Sequence, residues 1–341
     1  LDNVTPLRQI EAATASAGSA YLYEPAPVVR VRFDVNQDTP LPPEVPTGQN
    51  PPDGAILDYY LKTPTTGPVR LAIRDARGQL VRDYTSQPAT PNTTMPNVPL
   101  YWFAAPDATR LPATAGAHRV VWDLRYPTPP SLDYGPDGEP GTTVSYGIIA
   151  TAILGQSPRE QPVGPLVVPG TYQVQLTVDG QTLTRAVVVT ADPRVSVSPT
   201  EFDAALGWQL ALTAGIRASH DAIEILRTLR QTAHVRVTGT ATGDLTTALA
   251  TFDRTAIAAA TSLATSRSLS QHLGALEFAD MVPNENTAGV LHDSCAKTAA
   301  ALDRYRQVID TALPTLNAAL TAAGLAVVAP PTTAIGPGCG R

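Results

Sequence analysis

Residues able to move protons, attack a substrate or hold a metal are sparse in this chain, and their spacing decides what each can do. The segment LDYGPDGEPGTT, residues 132 to 143, carries Asp133, Asp137 and Glu139 among glycines. Carboxylates presented from a flexible loop suit a hard cation, so calcium is the cofactor these residues would take, although their spacing is not that of an EF-hand. The same Asp, Gly and Pro residues are also ordinary turn chemistry. Carboxylates paired for glycoside hydrolysis must face each other about 5–10 Å apart across a cleft. No such cleft can be read from the sequence, and in a hydrolase these three would be the first carboxylates to mutate.

Other chemistry has less to work with. The sequence has no G-x-S-x-G elbow, H-E-x-x-H pair, phosphate-binding glycine loop or G-x-G-x-x-G turn. Five histidines are scattered. His220, Asp221 and Glu224 lie close together, but on an exposed helix face such a group is ordinarily solvated. Cys295 and Cys339 are the only thiols and have no metal-ligand spacing. They are either two unrelated thiols or one disulfide. A bond between them would close a loop of about 45 residues and stabilise by roughly 4 kcal/mol on the loop-entropy model. Tyr101, Trp102 and Phe103 form an aromatic group that suits either a docking surface or an end cap.

The elements that position these residues divide by period. In VPGTYQVQLTVDGQTLT, residues 168 to 184, Tyr172, Val174, Leu176 and Val178 alternate with polar residues, the spacing of a half-buried strand. Asp179-Gly180 then predicts a tight hairpin returning through Val187, Val188 and Val189. AILDYYLK (55 to 62), VRLAIRDARGQLVRDY (69 to 84) and HRVVWDLRYP (118 to 127) repeat that pattern, which predicts an antiparallel β-sandwich. Trp122 plugs its core in the reading we favour over sugar stacking. Residues 24 to 54, 85 to 115 and 126 to 170 are proline-rich and predict long loops over the scaffold.

At residue 196 the period becomes helical. Ser198, Pro199 and Glu201 form a capping-box start for a helix to about residue 233. Further helices are expected from about Asp244, over 268 to 281 and over 287 to 323. Pro314 should kink or divide the last, and Gly324 should cap it. Long amphipathic helices on short connections predict an antiparallel α-helical bundle.

The chain has 341 residues with 43% apolar and 16% charged content, and it suits a multidomain α+β protein. Fourteen basic residues stand against 18 acidic ones before residue 196, and 10 against 12 after it. With no basic half or cluster, nucleic acid is not an expected partner. No apolar run approaches the roughly 18 residues of a membrane helix, so membrane insertion is not expected either. The opening LDNVTPLRQI carries neither an initiator Met nor a signal-peptide core, and we expect a processed, nicked or partial chain.

The segments LDNVTPLRQI, NPPDGAILDYYLK, LAIRDARGQLVRDY, GAHRVVWDLRYPTPP, VVPGTYQVQLTVDGQTLTRAVVVTADPRV and LPTLNAALTAAGL together resemble the C-terminal region of bacterial secreted proteins. Those proteins carry sortilin-like, BNR-repeat β-propellers and are often labelled glycosyl hydrolases. The resemblance implies export to the periplasm or outside, an upstream propeller, and an immunoglobulin-like sandwich of the flagellar hook-cap type. It brings no catalytic residues. The Asp-box S-x-D-x-G-x-x-W of propeller blades is absent from this sequence.

The expected organisation is a propeller-exit strand and proline-rich arm over 1–48, a β-sandwich over 49–195, a helical bundle over 196–326 and a tail over 327–341. Residues 1 to 10 would pair as an edge strand with the propeller. The expected function is a non-catalytic accessory module docked on that propeller, in the same gene product or as a second chain, and aiding protein or glycan binding. The alternatives are a part of a carbohydrate-active hydrolase and a surface adhesion or self-assembly module.

Overall fold

A computed structural model describes residues 4–15, 18–32, 46, 52–88, 110–130, 132, 163–239 and 243–340. The fold is mixed, with strands in the N-terminal part and long helices in the C-terminal part. It divides into two compact units. The β unit comprises Leu1–Thr128, Val144–Leu206 and Phe278–Met281; the helical unit comprises Pro129–Thr143, Gly207–Glu277 and Val282–Arg341. The division falls at residue 206, inside a helix, rather than at the change of period near 196.

Among the described residues of the β unit, eight strands form two sheets. They are β1 Ala20–Leu22, β2 Val28–Arg30, β3 Ala55–Leu61, β4 Arg70–Arg74, β5 Leu80–Thr85, β6 Gly116–Trp122, β7 Gly170–Val178 and β8 Gln181–Ala191. One sheet runs β1-β3-β6, the other β2-β8-β7-β4-β5. Alternation decides which face is buried. Ala55, Leu57, Tyr59 and Leu61 of β3, Leu71 and Ile73 of β4, and Tyr172, Val174, Leu176 and Val178 of β7 all enter one apolar cluster to which both sheets contribute. Trp122 is fully buried there, and its indole N–H donates to Arg125 O at 3.2 Å.

The hairpin turn between β7 and β8 forms as its Asp-Gly pair predicts. Asp179 and Gly180 have φ of 46° and 81°, the double positive of a type I′ turn, and Val178 pairs with Gln181. Asp179 Oδ1 also accepts from Thr66 N, Thr66 Oγ1 and Gly67 N at 2.9–3.2 Å. Those bonds hold its carboxyl below the usual carboxylate range.

Two expectations need correction. The sheets are not purely antiparallel, because β2 lies parallel to β8, with Val28, Val29 and Arg30 opposite Val189, Thr190 and Ala191. A parallel neighbour requires a long connection, which the distance between residues 30 and 181 supplies. In the described part of the opening segment, helical turns stand where an edge strand is expected: Pro6–Gln9 form a 3₁₀ turn and Ile10–Ala15 an α-helix, α1. Proline suits a first helical turn, and Glu-Ala-Ala continues it readily.

The helices are α2 Pro199–Val237, α3 Gly243–Ala264, α4 Arg267–Leu276, α5 Glu285–Gln307 and α6 Leu313–Ala322. The capping box forms in full, with Ser198 N and Oγ donating to Glu201 Oε2 at 2.8 and 2.7 Å and Glu201 N donating to Ser198 Oγ at 3.3 Å. Between α5 and α6 the ladder widens into a π turn, Val308–Ala312, in which Leu313 N–H reaches Val308 O. That wider turn stands where Pro314 lacks a donor and its ring would crowd the carbonyl of Asp310. Gly324, at φ 71°, ends α6 with Leu325 N donating to Leu320 O at 2.9 Å. Leu212, Ile216, Ile223, Leu226, Phe252, Leu263, Leu291, Leu302 and Leu316 share one apolar cluster in the helical unit.

Candidate functional site

The outer face of the β7–β8 hairpin presents two neighbouring strands of uncharged residues. Because register alternates, the residues opposite the core line up in rows: Thr171 with Val188, Gln173 with Ala186, Gln175 with Thr184, and Thr177 with Thr182. Thr171, Gln173, Thr182, Thr184, Ala186, Val188 and Thr190 are exposed. On β4 the rows continue through Arg70, Ala72 and Arg74. Arg74 Nε donates to Gln175 Oε1 at 3.0 Å, and the Thr177 and Thr182 hydroxyls lie 2.9 Å apart. Across β7 and β8, amides, hydroxyls and small apolar groups make a face that can bond or pack against another surface, with Arg70 and Arg74 on its β4 side. Neither amide nor hydroxyl titrates near neutral pH, so the β7–β8 strip is suited to binding rather than proton transfer.

A buried charge cluster is built around Asp280. Arg30 Nη1 and Nη2 donate to its two carboxylate oxygens at 2.5 and 2.7 Å, and Arg32 Nε donates to Oδ1 at 2.5 Å. Arg30 Nε donates to Val167 O at 2.6 Å, and its guanidinium lies over the Phe202 ring at 4.9 Å. All of these residues belong to the β unit. Burial pushes the Asp280 carboxyl upward, but the hydrogen bonds and charges of Arg30 and Arg32 outweigh it and hold the pKa low. Arg30 is only 3% exposed and bonded along its whole fork, so the cluster is an anchor.

A polar seam crosses the helical unit. His272 Nε2 lies 3.0 Å from Ser294 Oγ, and Thr298 Oγ1 is within 3.1 Å of Ser266 Oγ and bonded to Ser294 O. Burial lowers the His272 pKa, so the ring is neutral at pH 7. A neutral imidazole beside a serine has the spacing of a base and nucleophile. Ser294, however, sits inside α5, where its amide is committed to the helical ladder and cannot stabilise an oxyanion. The seam supplies hydrogen bonds between α4 and α5 and the turn before α4.

The expected site residues meet different fates. Asp133, Asp137 and Glu139, and Tyr101, Trp102 and Phe103, lie outside the described residues. No group of three His, Cys, Asp or Glu residues able to hold a metal occurs among the described residues. Cys295 and Cys339 are bonded, with Cα atoms 5.6 Å apart. His220 Nδ1 lies 3.0 Å from Asp221 Oδ1, and His234 and Arg230 share Asp253. The Asp280 anchor escapes sequence reading because Arg30 stands 250 positions away and neither flank carries a motif.

No family model, curated protein or solved structure matches this chain.

Proposed function

We propose that this chain is a non-catalytic, secreted accessory module, an immunoglobulin-like sandwich followed by an antiparallel helical bundle, that docks onto and stabilises a sortilin-like β-propeller. The observation that carries the reading is the hairpin face from Thr171 to Thr190: two strands of uncharged, exposed Thr, Gln, Ala and Val on a braced sheet. The β7–β8 part of the face can bury against a partner without stranding charge, provided that Arg70 and Arg74 on its β4 side stay at the rim. The Cys295–Cys339 bond supports an oxidising compartment.

The test is calorimetric titration of this chain with a separately produced propeller portion of the same gene product. Gln173→Lys with Ala186→Lys places two charges in one row of the face. Binding by the wild-type chain and its loss in the double variant, at unchanged Tm, is the expected result. Failure of the wild-type chain to bind, or binding indifferent to the two lysines, overturns the reading.

A further inference from the structure

The segment after α6 is held at two points with an open stretch between them. At the first, the Asn317 side chain brackets one residue: Asn317 Nδ2 donates to Val328 O at 2.9 Å, and Val328 N donates to Asn317 Oδ1 at 2.8 Å. Val328 itself is buried in the helical core. At the second, Cys339 is bonded to Cys295 of α5. Between them Ala329, Pro330, Thr332, Thr333, Ala334, Gly336 and Pro337 are exposed, while Ile335 packs on the apolar cluster and Gly338 is buried beside Cys339. No backbone–backbone hydrogen bond ties residues 329–340 down among the described residues.

The second anchor sits in a notch that the helices leave for it. A Cβ at Gly215 of α2 would lie 2.6 Å from Cys339 Sγ and 2.7 Å from Leu269 Cδ1 of α4. Any side chain at 215 therefore collides with the seated sulfur. A Cβ at Gly338 would come within 3.0 Å of Leu302 Cδ1 on α5. The Gly-Cys pair is thus fitted against α2 and α5, and Cys339 packs at the margin of the core that Leu212, Ile216, Ile223 and Leu226 help to form. Both cysteines are half-buried, within reach of a small dithiol.

We propose that residues 329–340 form a reducible strap: opening the Cys295–Cys339 bond frees the chain beyond Val328 and uncovers the notch at Gly215, with the helices intact. The reductant is a dithiol. Its thiolate attacks one cysteine sulfur to give a mixed disulfide and expels the other cysteine as thiolate. The second dithiol sulfur then closes on the first, so two electrons and two protons pass to the protein, leaving two thiols and one oxidised dithiol. Local opening of a segment with few buried contacts is the expected response, and it does not depend on the propeller reading.

Limited proteolysis of the full chain, read by mass spectrometry before and after dithiothreitol, tests this, with hydrogen exchange of the helices measured alongside. Cleavage within residues 332–336 should be about tenfold faster or more once reduced, while exchange at Val328 and the core positions of α3 and α5 stays slow. Cys339→Ser, which adds no bulk, should show that pattern without reductant. Gly215→Val should do the same and leave both thiols open to N-ethylmaleimide. Unchanged cleavage within 332–336 on reduction and in Cys339→Ser overturns the strap. So does loss of protection throughout α3 and α5, which would make the bond a support of the whole unit.

Discussion

In the β unit two local hairpins, β4–β5 and β7–β8, are joined by pairings far along the chain, β4 with β7 and β2 with β8, and the Asp280 carboxylate is gripped by arginines 248 and 250 positions away. In the helical unit the bonding is mostly local. Thr247, Thr251 and Thr255 of α3 each return a hydroxyl to the carbonyl four residues earlier, and Pro314 is absorbed by one widened turn beside it. Longer-range order in that unit comes from apolar stripes, the His272–Ser294 and Ser266–Thr298 bonds, the Asp253 carboxylate shared by Arg230 and His234, the Asn317 bracket and one disulfide. Non-local order concentrates consequence in single residues, whereas local order spreads it.

The largest expected effect breaks the first half of that comparison. Asp280→Ala leaves Arg30 buried and uncompensated, and should destabilise the β unit by about 3–5 kcal/mol. Denaturant titration with exchange read in β7 and β8 measures it, and a cost below about 1 kcal/mol would mean that the anchor is ornamental. Asn317→Ala strips both bonds from the buried Val328 backbone and should cost about 1–3 kcal/mol, with exchange rising at Val328 ahead of the remaining helical amides. Ser198→Ala removes the capping box and should cost about 1 kcal/mol, with fraying confined to the first turn of α2. A wider effect would show that α2 depends on its cap rather than on its buried face.

Acid separates the units most gently. His272 is neutral in the fold, with a pKa lowered by burial from its ordinary 6.5, so the unfolded chain binds the proton more readily. The helical unit should lose stability as pH falls through 6.5 toward that depressed value. Asp280 works at lower pH. Its contribution is complete above its ordinary 3.8 and fades as pH falls through the lowered folded value. Exchange protection measured from pH 7 to pH 3 should therefore weaken in α4 and α5 before it weakens around Arg30. Simultaneous loss would erase the distinction.

Much of the fold was legible in residue order. Tyr172 to Val178 announced a strand, Asp179-Gly180 its turn, and Ser198 with Glu201 a helix start, because each of these rests on neighbours within four positions. The pattern failed where two structures share a composition. The opening VTPLRQI reads as an extended edge, yet Pro6 starts a helical turn there, and Val28 to Arg30, hidden among prolines, became a parallel strand. The candidate face was half legible: Gln173, Gln175, Thr182 and Thr184 were plainly polar, but their rows exist only through the Gln173–Ala186 and Gln175–Thr184 register.

By itself the sequence determined the periods, the turns and the caps, since these follow from backbone angles and hydrogen bonds closed within a few residues. Only the tertiary structure decided that Asp280 meets Arg30 and Arg32, and that Gly215 makes room for Cys339. Those contacts join residues with no shared pattern, and they come into being when packed elements carry distant side chains to within a few ångströms of each other.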